Sequence, residues 1–182
     1  MNEERFEHKD HFDCISGKQY CLKHLQKRVF EFDDVSENKQ YKCEIIYSNH
    51  VYTAGVKDSV LRPNYDQHKL INIETLYDHQ EYRFFSHTRY NLALDLNNLL
   101  NQCYRNEIRM IQKDKNKYTA FPYIKKDSPN KHYLIILTFK KENNLNKITI
   151  NSAYIATDIN EVERLKKKRK IGLLTILKKL QN

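Results

Sequence analysis

The residues of this chain best suited to chemistry are His50, Arg83, His87, Arg89, Tyr90, Ser152 and Tyr154, all near the ends of strand-like or helical segments. Cutting RNA through its own 2′-hydroxyl needs a base for that proton, an acid for the leaving 5′-oxygen and cations for the charge on phosphorus. Imidazole suits either proton-transfer role, since its ordinary pKa is about 6.5. Arginine suits the third role, since its planar fork binds phosphate oxygens in pairs. The densest group is "RFFSHTRY" (83–90), where His87 and Arg89 fall at the start of an expected helix, whose free N–H groups favour anions. Each residue also has a plainer reading: His50 as a polar-face histidine, His87 as a solvated cap residue, Arg83 paired with Glu81, and Tyr154 bonded to the backbone.

Other chemistries find less support. The only glycines are Gly17, Gly55 and Gly172, so neither common nucleotide-binding loop can be written. Cys14, Cys21, His24 and Cys43 lack the paired spacing of a structural zinc site, and no metal or cofactor is expected. Cys103 sits in an apolar helical stripe, a poor place for a nucleophile.

The elements that must position these residues are legible in part. Tyr41, Cys43, Ile45 and Tyr47 alternate with more polar residues and predict a strand. Continuing that phase puts Ser48, His50 and Tyr52 on its less apolar face. Residues 55–80 read as a long surface connection. "EYRFFS" follows as a strand, and Leu92, Leu96, Leu99, Leu100 and Cys103 then recur at helical spacing, giving one principal helix over about 88–104 capped by Ser86 or Thr88. "EIRMIQK", "KYTAFPYI", "HYLIILTFKK" and "KITINSAYIAT" follow as strands, with short links that favour consecutive antiparallel pairing. "HYLIILTF" should be central. If Ile148 and Ile150 face the core, unbroken alternation puts Ser152 and Tyr154 on their side. Residues 158–169 suit a helix or a solvated turn, and "KIGLLTILKKL" a closing strand or an amphipathic helix. The expected fold is α+β: an antiparallel meander of about five to seven strands on one helix. We expect one domain over 1–182, with 41–178 as its core and 1–40 as a weakly patterned extension or hairpin.

Charge is lopsided. Residues 1–60 carry 9 Lys or Arg against 11 Asp or Glu, and residues 61–182 carry 23 against 12. Such a field attracts polyanions, and the run "RLKKKRK" adds Lys166, Lys167, Lys168 and Arg169 as candidate phosphate contacts. Residues 1–15 open with acids and hold no apolar leader segment, and no apolar run is long enough to span a membrane, so a cytoplasmic protein with reduced cysteines is expected.

A helix followed by consecutive antiparallel strands, with His, Arg, Ser and Tyr in the sheet, resembles the barnase–EndoU–colicin–RelE superfamily of small ribonuclease toxins over residues 41–178. That resemblance implies a metal-independent endoribonuclease. His50 would be base or acid, Arg83 and Arg89 would hold phosphate, His87 would be a second proton carrier, Tyr154 and Ser152 would orient the scissile group, and RNA would be the substrate. The long N-terminal section departs from the superfamily and suits an added hairpin, a dimerisation element or an antitoxin-facing surface. Two other readings stand beside it: a non-catalytic nucleic-acid-binding module, and a phage or plasmid inhibitor that binds an acidic protein partner.

Overall fold

A computed structural model describes residues 10–13, 17–55, 70–74, 80–124 and 132–181. The architecture is α+β. A curled seven-stranded sheet comprises β3 (Arg28–Asp34), β4 (Lys39–Tyr47), β8 (Met110–Asp114), β9 (Lys117–Ile124), β10 (His132–Glu142), β11 (Leu145–Ile155) and β12 (Lys170–Ile171). Its order is β12-β8-β9-β10-β11-β4-β3, which puts the apolar β10 in the middle as its composition demands. β8 to β11 pair consecutively and antiparallel. The sheet is mixed, because β4 joins β11 in parallel, Cys43 opposite Asn146. A hairpin, β1 (His11–Asp13) with β2 (Lys18–Tyr20), and a small sheet of β5 (Thr53–Gly55), β7 (Gln80–Phe85) and β6 (Leu70–Glu74) complete the strands among the described residues. β6 occupies part of the expected 55–80 connection; residues 56–69 and 75–79 lie outside the described residues.

The principal helix is two helices, α1 (His87–Ala93) and α2 (Leu96–Tyr104). Ser86 caps the first, its Oγ accepting from the Arg89 amide at 3.4 Å. At the joint, the Asp95 amide bonds the Leu92 carbonyl three residues back, and Asp95 opens α2 as its N-cap. Leu92, Leu96, Leu99, Leu100 and Cys103 are all buried against the sheet, so the stripe survives the break. Burial raises the Cys43 and Cys103 thiols to about 12, leaving them protonated packing groups.

The segment "RLKKKRKIGLLTILKKL" contributes three pieces. α3 (Ile159–Lys166) ends within it, β12 follows, and α4 (Leu173–Lys179) packs Leu173, Ile176 and Leu177 into the main core. α3 lies on the opposite face, where Leu165 meets Ile111 and Leu134.

The N-terminal third is built into this frame. β3 is an edge strand of the main sheet, the Tyr104 hydroxyl donates to the Asp33 carbonyl at 2.8 Å, and the Tyr90 hydroxyl donates to the Cys21 carbonyl at 3.2 Å. Lys178 of α4 reaches Asp34 at 2.6 Å and Glu37 at 2.7 Å, and Asp34, 3% exposed, also accepts from the Ser36 hydroxyl. Lys178 and Ser36 hold the Asp34 carboxyl below its ordinary value, and the two carboxylates raise Lys178. The Asp34 contribution is therefore present above the ordinary carboxylate range and lost as pH falls through the lowered folded value. Asp34→Asn should melt earlier than the parent at neutral pH, with the gap closing on acidification through that value, as thermal melts across the acid range will show.

Candidate functional site

A β-bulge decides which side chains meet. On β11, Ile148 and Ile150 are fully buried in the main core, but Leu137 pairs with Ile150 and its neighbour Ile136 pairs with Ser152, leaving Asn151 as an extra residue. The extra residue reverses the alternation. Ala153 therefore takes the core position, while Ser152 and Tyr154 turn to the opposite face, where Tyr154 packs beside Ile111, Leu134 and Leu165. The expectation that Ser152 and Tyr154 share the side of Ile148 and Ile150 fails for this reason.

The strand carrying His50 also ends sooner than its alternation implies. β4 stops at Tyr47, and Ser48 caps a 3-10 turn over Asn49–Val51 by accepting from the His50 amide at 3.2 Å. His50 is half-buried in that turn and belongs to neither strand face. Its carbonyl accepts from Arg89 Nη1 at 2.7 Å, so the turn aims the guanidinium.

Arg89 is half-buried, and its guanidinium carbon lies 5.9 Å from the centre of the Tyr154 ring. Burial lowers its pKa from the ordinary arginine value, while the Tyr133 and Tyr154 phenols act to raise it. Burial in turn raises both phenols, the Asp95 carboxylate adding to the shift at Tyr133 and Glu161 at Tyr154 while Arg89 opposes each, so both remain neutral hydroxyls near neutral pH. Tyr133 is 1% exposed and its hydroxyl has no hydrogen-bond partner among the described residues. His132 precedes it on the Tyr154 face. Its carbonyl accepts from the Ala156 amide, so it lies one diagonal from Tyr154, roughly 7–8 Å between backbones. The His132 Nδ1 atom is buried and also has no partner among the described residues.

Around the ends of β10 and β11 stand Arg89, with no carboxylate paired to it among the described residues, the main chain of His50, Tyr154 and His132 on one face of the sheet, and Tyr133 on the core face. A half-buried guanidinium with N–H groups to spare is chemically suited to an oxyanion.

A family model matches residues 9–181. The chain belongs to the YjaZ family. No curated protein and no solved structure matches it.

The other candidates of this YjaZ-family chain whose side chains are described make their contacts elsewhere. Arg83 sits in β7 opposite Gly55 and Ile71, and its side chain is outside those described. His87 is exposed and packs edge-on against Tyr20 and Phe85 at 5.0 and 5.2 Å. Tyr90 belongs to the same aromatic cluster, 5.2 Å from Tyr20, with its hydroxyl committed to Cys21. Lys166 pairs with Glu163 at 2.6 Å, and Lys167 is exposed at the end of α3. Lys168 and Arg169 line a groove at the far edge of the sheet. Among the described residues, no cluster of three or more His, Cys, Asp or Glu is arranged around a common point as metal ligands would be. No helix among them is long and apolar enough to cross a membrane.

Sequence reading missed His132 and Tyr133. The signal existed: "ENNLN" is a hairpin turn, with Asn143 and Asn144 in left-handed backbone, and two strands counted outward from it bring 132–133 level with 154–156.

Proposed function

We propose that the chain is an RNA-cleaving protein that works without a metal, with its reaction centre where β10 begins and β11 ends. The observation that carries this reading is the Arg89 guanidinium, held by the His50 carbonyl, with no carboxylate paired to it among the described residues and in electrostatic reach of the buried Tyr133 hydroxyl, which has no hydrogen-bond partner among them. A phosphodiester supplies the acceptors that both donors lack. In the reaction, the 2′-oxygen bonds to phosphorus as its proton passes to an imidazole, the bond to the 5′-oxygen breaks, and that oxygen takes a proton from an acid. Arg89 and Tyr133 bind the non-bridging oxygens as charge builds on them. His50 and His132 are the two candidate proton carriers, and Tyr154 holds the guanidinium in place through its ring face.

The test is incubation of end-labelled RNA with the protein in excess EDTA. Shortened products with a 2′,3′-cyclic phosphate on one side and a 5′-hydroxyl on the other are expected. Binding with no cutting would instead support the non-catalytic module. Cutting that stops in EDTA and leaves 5′-phosphates would contradict the proposed chemistry.

A further inference from the structure

At the β12 edge of the sheet, a groove of about 640 Å³ runs between β8, β12, α4 and the end of α2. Its charged lining residues are Arg109, Lys168, Arg169, Lys170 and Lys179, all cations. Arg109, Lys168, Arg169 and Lys179 form no ion pair among the described residues, whereas nearby Lys166 and Lys113 are paired with Glu163 and Glu161. These four like charges, lining one groove with no acid in its lining, repel one another, so the arrangement is relieved by a bound polyanion.

The groove has a fixed floor. α2 ends in a left-handed turn at Asn106 (φ 61°), with the Glu107 amide bonded to the Gln102 carbonyl and the Asn106 amide to the Cys103 carbonyl. The Asn106 side chain then lies against Gly172, where a Cβ would stand 2.2 Å from Asn106 Oδ1. Glycine at 172 lets that amide sit in the floor, and Gln112 and Thr175 add further uncharged hydrogen-bonding groups.

Register gives the distance to the proposed reaction centre. Lys170, Ile111, Thr119, Ile136 and Ser152 are successive cross-strand partners, so groove and Ser152 stand four strand spacings apart, roughly 19 Å along the sheet. One phosphate group cannot touch both places; a chain of phosphates can.

We propose that this groove docks the phosphate backbone of an RNA strand, away from the point of cleavage. The choice of RNA among polyanions rests on the function proposed above; the existence of the polyanion site does not. Lys168 and Arg169 supply contacts on the rim and Arg109 on the β8 wall, while Lys166 and Lys167, nearest in sequence, take no part.

The test measures fluorescence anisotropy of a labelled 2′-O-methyl RNA, which binds but cannot be cut, across a salt series. The parent is compared with Lys168→Glu/Arg169→Glu and with Lys166→Glu/Lys167→Glu, which changes net charge equally outside the groove. The groove pair should weaken binding at least tenfold and flatten the log–log salt slope by about 0.7 for each phosphate contact removed, while the control pair stays much nearer the parent. Equal losses in both pairs, an unchanged groove pair, or a parent that does not bind this RNA would overturn the proposal. Since this RNA cannot be cut, groove-dependent binding by a parent that never cleaves ordinary RNA would sink the proposed catalysis and leave the docking site standing.

Discussion

Arg89→Met will cut RNA about 10²–10³-fold more slowly than the parent, the usual cost of losing one preorganised donor aimed at developing charge. Methionine keeps most of the buried aliphatic length and removes the charge and fork together. Among the described residues, the Arg89 side chain donates to the His50 carbonyl alone, which leaves further N–H groups of its fork for substrate. Arg89→Lys separates charge from geometry: a lysine restores a cation but not two parallel donors, so it should recover binding better than rate. Both variants should melt as single cooperative species. Loss of the fold in Arg89→Met would move the comparison to Arg89→Lys, and a Lys variant cutting as fast as the parent would remove Arg89 from the mechanism.

Tyr133→Phe should move stability and activity in opposite directions. The hydroxyl is buried with no partner, which in a purely structural residue is a cost of about 1–3 kcal/mol. Phenylalanine has the same ring and leaves no orphan, so the variant should melt higher than the parent. If the hydroxyl is retained to bind a non-bridging phosphate oxygen, cleavage should fall by about 10²-fold in the same protein. Melting temperature and single-turnover cleavage rate check the two halves. A more stable variant with parental activity would make Tyr133 a packing residue only.

Much of the scaffold was legible because it is written locally. Leu92, Leu96, Leu99, Leu100 and Cys103 keep their helical spacing across the break at Asp95, and Tyr41, Cys43, Ile45 and Tyr47 are all buried on one row of β4. "HYLIILTF" is central because a strand apolar on both faces has nowhere else to go.

What escaped depends on single residues or on distant pairings. One extra residue, Asn151, turns Tyr154 to the opposite face, and nothing in "NSAYIAT" distinguishes it from continued alternation. His50 left its strand because Ser48 offered a local cap that alternation cannot express. The parallel pairing of Cys43 with Asn146 joins positions about a hundred residues apart, and the groove joins Asn106, Arg109 and Gln112 to residues 168–172 by the same kind of closure. The basic run was visible in sequence, but the half of it that lines a groove was not.

The most direct test of the central claim is a crystal structure with a 2′-O-methyl dinucleotide, too short to reach from the groove to the end of β11. Its phosphate should lie at the Arg89 guanidinium, with one oxygen within hydrogen-bonding distance of the Tyr133 hydroxyl and an imidazole of His50 or His132 beside the 2′-position. A dinucleotide bound elsewhere, with Arg89 and Tyr133 untouched, would contradict it.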